Sequence, residues 1–112
     1  METDKRASEY EIIVPDTPKW QAAIKDLQSA GRKKNYRVAH QHVALQLLKS
    51  ARGDLPWKET YTAEPYIYGY EIHPNESHTQ HVPHHDLPHI KWKDWRAGKR
   101  YGATGHIFFD EG

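Results

Sequence analysis

The amino-acid sequence predicts a single-domain α+β protein in which two N-terminal helices pack on a three- to four-stranded antiparallel sheet. Three observations predict it. The chain has 112 residues, a usual length for one domain. Apolar residues recur at helical spacing up to residue 52, and apolar and polar residues alternate in several later segments. Prolines and glycines separate those alternating segments, as turns between strands would.

The first seventeen residues precede the predicted helices. Residues 1–8 are polar, so we expect a disordered arm there. The run 10–14 (YEIIV) is rich in β-branched residues and is closed by Pro15, which predicts a short strand.

The first helix begins at Asp16-Thr17-Pro18, where Asp16 or Thr17 caps the first turn and Pro18 lies within it. An apolar stripe then follows at steps of three and four through Trp20, Ala23, Ile24, Leu27 and Ala30. Gly31 ends this helix, and residues 32–34 form a basic connector.

The second helix is predicted from residue 36 to about residue 52, with Asn35 as its cap and Gly53 as its stop. Its inward-facing line is Tyr36, Ala39, Val43, Leu47 and Ala51.

The remaining sequence predicts an antiparallel meander. Its candidate strands are 57–62, 66–73, 89–95 and 105–109. Residues 97–99 form a turn, and residues 74–88, which are rich in proline and histidine, form a long loop.

Composition excludes several classes of protein. The chain has no cysteine, so disulfides, thiolate metal sites and cysteine nucleophiles are excluded. Its apolar runs are far shorter than the roughly 20 residues of a membrane span, and its charged N-terminus resembles no signal peptide, so we expect a cytoplasmic protein without a membrane partner. The net charge of +1 lacks the strongly basic character of a typical DNA-binding domain.

Strand alternation predicts where the chemistry lies. Successive side chains of a strand point to opposite faces, and neighbouring strands lie about 4.8 Å apart. One face of the predicted sheet therefore gathers Glu71, His73, His89, Lys91, Lys93 and His106. Arg96, Lys99 and Arg100 extend this set into a local cationic surface.

These residue types suit cleavage of an RNA phosphodiester. Imidazole accepts and donates protons near neutral pH, and cations stabilise the charge that grows on phosphorus. The ordinary structural interpretation also stays open, because the solvent face of any antiparallel sheet is polar.

Residues 36–109 also resemble a known group of proteins. The strand beginning Pro88-His89-Ile90 with Trp92, the turn at Gly98-Lys99 and the final GHIFF strand after N-terminal helices resemble the barnase/EndoU/colicin/RelE-like ribonuclease toxins. Such domains commonly form the C-terminal tips of bacterial polymorphic toxins.

The resemblance implies metal-independent RNA cleavage without a cofactor. His89 and His106 would be the acid and base, and Lys91 and Arg96 would stabilise the phosphate. Secondary candidates are Glu71 and His73 in catalysis and Lys93, Lys99 and Arg100 in RNA binding. It further implies a cognate immunity protein or antitoxin as partner, and delivery to the cytoplasm of a target cell if the domain is a toxin tip.

Two other interpretations remain open. The loop histidines His78, His81, His84 and His85, with Glu76 and Asp86 nearby, are possible ligands for zinc or nickel, although their spacing fits no defined motif. Alternatively, Tyr66, Tyr68 and Tyr70 would stack on bases in a non-catalytic nucleic-acid-binding module, if they are not part of the core.

Overall fold

The computed structural model describes residues 6–98 and 100–111. A 3₁₀ turn spans Ala7–Glu9. The helices are α1 (Pro18–Gln28) and α2 (Gln41–Arg52), and the strands are β1 (Gly31–His40), β2 (Tyr68–His73), β3 (His89–Asp94) and β4 (Ala103–Glu111). The predicted α+β class is confirmed. None of the helices in the described ranges is both long and apolar enough to cross a bilayer.

The four strands form one mixed sheet in the order β1-β4-β3-β2. β2 pairs with β3 and β3 with β4 in antiparallel fashion, as the meander prediction required. β1 pairs with β4 in parallel fashion, so the prediction of a wholly antiparallel sheet was wrong.

β1 occupies residues that the sequence pattern assigned to a connector and to the start of a second helix. The second helix begins only at Gln41, after β1. Only α1 therefore precedes the sheet in the sequence. The spacing of Tyr36, Ala39 and Val43 suits a helix, but Tyr36 and Val38 also share one face of a strand. Pairing with β4 decides between the two, because it places Val38 opposite Phe109 and leaves it fully buried.

The helix boundaries elsewhere follow local chemistry. Thr17 caps α1 by accepting a hydrogen bond from the backbone N–H of Trp20 at 3.3 Å. Gly53 ends α2 with φ of 76°, a backbone conformation that favours glycine. Both features were predicted.

The hydrophobic core lies between the helices and one face of the sheet. Helix α1 contributes Trp20, Ala23 and Leu27, and α2 contributes Val43, Ala44, Leu47 and Leu48. The sheet contributes Val38, Ile90, Trp92, Ile107 and Phe109. The opposite face of the sheet is left to polar side chains and to Phe108.

The N-terminal segment and the histidine-rich loop lie together over part of that second face. The backbone N–H of Ala7 donates to the carbonyl of His84 at 2.8 Å, and Ser8 Oγ donates to Asp86 Oδ2 at 2.5 Å. The prediction of a disordered arm was therefore wrong for residues 7–8, since these bonds hold them in place. Residues 1–5 lie outside the described part of the chain.

Two predicted strands are reduced to single bridges. Residues 10–14 pair only where Ile12 meets Arg37, and residues 57–62 pair only where Trp57 meets Tyr70. Both predictions of a full strand were wrong, because neither segment continues alongside the sheet. Residues 74–88 form a loop as predicted.

Candidate functional site

The polar face of the sheet brings strand histidines from β2, β3 and β4 together. His73 lies directly opposite His89, and Lys91 lies directly opposite His106. Glu71 also pairs with Lys91, from the β2 side. Strand alternation predicted this shared face, and the register sets which residues are neighbours on it.

The loop adds a fourth imidazole to the group. The ring of His85 lies 4.9 Å from the ring of His89 and 4.5 Å from that of His106, measured between centroids. The centroids of His89 and His106 are 5.3 Å apart. Phe108 packs against the same rings, with its centroid 5.1 Å from that of His89, so the cluster rests on an apolar surface.

These side chains line a pocket of about 360 Å³. We call it the histidine pocket, and its lining residues are Tyr61, His73, Glu76, Val82, His85, His89, Lys91 and His106. Lys91 is exposed, whereas His89 is only 1% exposed. The pocket is therefore reached from the side of Lys91 and closed beneath by the sheet.

Glu76 is a buried carboxylate at the centre of the pocket. Its Oε2 accepts a hydrogen bond from the Tyr61 hydroxyl at 2.6 Å, and its Oε1 lies 3.0 Å from His89 Nε2. His73 Nδ1 lies 3.5 Å from Oε2. Burial by itself raises the pKa of Glu76, but the Tyr61 hydrogen bond and the nearby histidines outweigh it and hold that pKa below its usual value.

Glu71 orients His73 from the other side. Its Oε1 lies 3.0 Å from His73 Nε2 and accepts the backbone N–H of Tyr61 at 2.9 Å, while its Oε2 accepts the Tyr66 hydroxyl. The backbone of Tyr61 has φ of 60°, a left-handed conformation that is costly for a tyrosine. Two carboxylates thus hold a strained residue at the edge of the pocket.

Hydrogen bonds fix the orientation of the rings of His89 and His106. His89 Nδ1 donates to the carbonyl of Leu87 at 2.9 Å, and His106 Nδ1 lies 3.3 Å from Asn35 Oδ1, to which it donates. Burial lowers the pKa of His89 to about 4 and that of His106 to about 2, with the neighbouring histidines adding to the effect. Near neutral pH, Nε2 of His106 therefore carries a lone pair.

His85 is buried with an unsatisfied nitrogen. Its Nδ1 has no hydrogen-bond partner among the described residues and lies 3.6 Å from Glu76 Oε1. Burial lowers the pKa of His85, so the ring is neutral near pH 7. A buried polar atom left unpaired costs about 1–3 kcal/mol, which makes this nitrogen a candidate for an external ligand.

Apart from Lys91, the predicted basic residues that the structure describes lie away from the histidine pocket. β3 begins at His89 and ends at Asp94, two residues before Arg96. Five steps along the strand place Asp94 about 17 Å from His89. Arg96 donates to Asp94, the guanidinium of Arg100 lies over the ring of Tyr101, and Lys93 Nζ lies 4.6 Å from the ring centroid of Tyr66. Lys99 lies outside the described residues.

Of the loop histidines, only His85 enters the pocket. His78 and His81 are exposed, and His84 is half-buried. In the described part of the chain, two groups of side chains have ligand atoms close enough to hold one metal ion: His85, His89 and His106, and His73, Glu76 and His89. The predicted ligands His78, His81 and His84 belong to neither group.

Sequence reasoning missed three members of the site. It counted Glu76 among loop ligands without placing it beside the strand histidines, and it interpreted Asn35 as a helix cap. Tyr61 lies in the predicted strand 57–62, and the sequence pattern indicates no role for it in the site. A loop that folds back onto the sheet has no periodic sequence pattern, so Glu76 could not be placed from the sequence. Asn35 could have been predicted, because it is a polar residue in a segment that is compatible with a strand.

Comparison with known proteins gives no relative: no protein-family model, no curated protein and no solved structure matches this chain.

Proposed function

We propose that this protein is an endoribonuclease whose active site is the histidine pocket. One observation carries the proposal: four imidazoles, a buried carboxylate and an exposed lysine converge in one open pocket on the face of the sheet that the helices leave free. Imidazoles move protons or hold metal ions, and a lysine at the rim stabilises a phosphate.

In this proposal, His106 and Lys91 contact the bound phosphodiester. The two residues are cross-strand neighbours in the sheet. The Nδ1–H of His106 is taken by Asn35, so its Nε2 lone pair is available to accept the proton of a ribose 2′-OH. The negative charge of a bound phosphodiester beside the ring would raise the low pKa of His106 and so make it a stronger base. The Lys91 ammonium would then stabilise the charge that develops on the phosphate oxygens.

Proton transfer by histidines alone needs a second ring that is protonated. The lowered pKa of His89 and of His106 leaves both rings neutral near pH 7, so neither ring readily gives a proton to the leaving 5′-oxygen. Metal-independent cleavage, which the sequence suggested, therefore depends on the contact between His89 Nε2 and Glu76 Oε1 holding a proton. Assays with and without a chelator test that mechanism.

Arg96 and Arg100 support a wider RNA-binding surface. Both are exposed and lie toward the far end of the sheet from the histidine pocket. At that distance they would contact phosphates that flank the cleavage point, and the scissile phosphate would be left to Lys91. A bacterial toxin role, with an immunity protein or antitoxin as partner, rests on the resemblance of residues 36–109, and toxicity on expression in bacteria tests it.

The direct test is cleavage of purified RNA by the wild-type chain and by single variants. We expect His106→Ala to lower the cleavage rate by about 10² to 10⁴, the usual share of one acid-base group, with the circular dichroism spectrum unchanged. His81→Ala is the matched control, because His81 is exposed and outside the pocket. DNA of the same sequence should stay intact, since it lacks the 2′-OH.

Equal activity of the His106→Ala and wild-type chains would place the chemistry elsewhere. Absence of RNA cleavage by the wild-type chain, with and without added divalent metal, would refute the proposed activity altogether.

A further inference from the structure

The histidine pocket has the ligand set of a mononuclear metal centre. One ring nitrogen from each of His85, His89 and His106 lies within 4.8 Å of the other two. We infer that these three histidines bind one divalent transition-metal ion of the zinc class, with Glu76 as the adjacent oxygen ligand. The binding site stands on its own geometry, and its role in RNA cleavage rests on the proposed function.

The orientation of the rings is the first argument for a metal. A histidine that binds a metal usually donates its other ring N–H to a carbonyl or carboxylate, which fixes the ring and its tautomer. His89 does so to the carbonyl of Leu87, and His106 does so to the side-chain oxygen of Asn35. The remaining nitrogen of each ring, Nε2, is thereby left as a lone pair.

The contact between His89 and Glu76 is the second argument. His89 Nδ1 already carries its proton, so a neutral ring presents the Nε2 lone pair to Glu76 Oε1 at 3.0 Å. Two acceptors at that distance repel each other unless a cation satisfies both. A metal ion between Nε2 and Oε1 would supply that cation.

His85 supplies the third argument. It is 6% exposed, and its Nδ1 lacks a hydrogen-bond partner among the described residues. It lies beside Glu76 Oε1 at 3.6 Å, which exceeds the range of a normal hydrogen bond. A metal ion bound by His85 would satisfy this buried nitrogen and so offset the free-energy cost of leaving it unpaired.

Two of the ligand–ligand distances are close to those around a tetrahedral ion. Zinc–nitrogen bonds of 2.0–2.1 Å place two ligands of a tetrahedron about 3.3 Å apart. Glu76 Oε1 lies 3.0 Å from His89 Nε2 and 3.6 Å from His85 Nδ1, on either side of that value. Neutral imidazole with one carboxylate favours zinc, cobalt or nickel over magnesium and calcium, which prefer oxygen ligands.

The alternative group centred on His73 fits less well. Both ring nitrogens of His73 face carboxylates, Nε2 toward Glu71 at 3.0 Å and Nδ1 toward Glu76 at 3.5 Å. Both nitrogens of His73 are thus engaged by carboxylates, and we assign His73 to the positioning of Glu76. In the cleavage reaction, a bound ion would stabilise negative charge on the phosphate, next to Lys91. Because the ion would occupy the Nε2 lone pair of His106, the ion would replace His106 as the group that activates the ribose 2′-OH.

Titration of the untagged full chain with ZnCl₂, after dialysis against EDTA, tests the inference. We expect one ion per chain with a Kd in the micromolar range or tighter, a higher Tm with zinc, and the visible absorption of tetrahedral cobalt when Co²⁺ replaces zinc. His85→Ala and His106→Gln should each weaken binding at least tenfold. The second variant keeps most of the volume of the ring, and an unchanged circular dichroism spectrum of that variant would exclude a folding defect as the cause.

Exposed histidines of the same loop are the matched controls. His78→Ala and His81→Ala should leave the stoichiometry and the Kd unchanged. The inference is overturned if wild-type protein binds no zinc, or if binding survives in His85→Ala and His106→Gln and is lost in His78→Ala or His81→Ala. The latter result would show adventitious binding by the loop.

Cleavage assays separate this inference from the proposed function. RNA cleavage that EDTA abolishes and zinc or cobalt restores supports both. Cleavage at full rate in EDTA would support the ribonuclease and overturn a catalytic role for the metal. Stoichiometric zinc binding without RNA cleavage would sustain the metal centre and refute the ribonuclease.

Discussion

At the scale of single residues, the buried carboxylates of this protein are stabilised by specific hydrogen-bonding or charged partners. Asp94, which lies outside the histidine pocket, is an example. Its carboxylate is 6% exposed and accepts hydrogen bonds from Arg96 Nε at 2.9 Å and Nη2 at 2.8 Å. Arg52 Nη1 lies 3.6 Å away on the same carboxylate. Arg96, which the family resemblance suggested as a phosphate ligand, also joins the end of β3 to the end of α2, since its Nη2 donates to the carbonyl of Arg52 at 3.0 Å.

These contacts predict how stability depends on pH. The hydrogen bonds from Arg96 and the charge of Arg52 hold the pKa of Asp94 below its usual value, despite burial. A carboxylate with a lowered folded-state pKa contributes stability above its unfolded pKa of about 3.9, and that contribution is lost as the pH falls through the folded-state pKa. Wild-type stability should therefore decline below about pH 4.

Asp94→Asn should lower the free energy of unfolding by about 2 kcal/mol at pH 7, because two arginines lose a buried charged acceptor. The gap between the two proteins should narrow as the pH falls below about 4. Urea unfolding at several pH values measures it. Asp54→Asn is the control: Asp54 forms only an exposed pair with Lys49 at 3.4 Å, so its loss should change stability little. A pH-independent gap for Asp94→Asn would contradict this explanation.

At the scale of elements, β1 decides the architecture and was the hardest element to predict. Residues 31–40 contain four basic residues and few apolar ones, so neither their hydrophobicity nor their periodicity marks a strand. Their conformation depends on a partner strand more than sixty residues later in the chain, which local propensity cannot report. α1, the end of α2 and the meander were predictable because their signals are local.

The pairing of β1 with β4 depends on a glycine. A Cβ atom on Gly105 would lie 2.1 Å from the backbone oxygen of Lys34, a distance at which one strand must move. β1 and β4 can therefore approach only if position 105 has no side chain.

Gly105→Ala should lower the free energy of unfolding by about 3 kcal/mol, the upper part of the range for overpacking. Gly53→Ala is a matched control, because a Cβ there meets nothing within 4 Å and only the strain of φ at 76° remains. It should cost about 1 kcal/mol. Guanidinium unfolding of the three proteins makes the comparison, and equal losses in both variants would show that the β1–β4 contact is not tight.

Gly105 also directly precedes His106, a residue of the histidine pocket. Its neighbour His106 pairs with Asn35 of β1, which orients the imidazole. We therefore expect zinc affinity to fall along with stability in Gly105→Ala, and to be unaffected in Gly53→Ala.

At the scale of the whole molecule, the residues that stabilise the fold and the candidate functional residues lie on opposite faces of the sheet. The helices and the apolar core cover one face, and the histidine pocket opens on the other. Strand alternation was enough to predict which strand residues share the second face. It could not predict Glu76 and His85 beside them, because the loop that carries both is held there by contacts such as that between Ser8 and Asp86. Nor could it predict Tyr61, which lies in the irregular segment between α2 and β2.

The location of the histidine pocket on one face of the sheet also predicts how RNA binding responds to salt. With a net charge of +1, the molecule has no general attraction for a polyanion, so each phosphate contact must come from a cation on the polar face. Lys91 lies there, exposed and lining the histidine pocket, whereas Lys25 is exposed on α1, on the other side of the sheet. Substitution of Lys91 is therefore expected to change RNA binding, and substitution of Lys25 is its matched control.

Lys91→Ala should weaken binding of a non-cleavable single-stranded RNA, such as a 2′-O-methyl oligonucleotide, and reduce the slope of log K against log salt by about 0.7, the value for one phosphate contact on a single strand. Lys25→Ala should leave both the affinity and the slope unchanged. Fluorescence anisotropy titrations at four or more salt concentrations measure the slope. If the two substitutions lower it equally, RNA binds by overall charge, and the polar face of the sheet is not its binding surface.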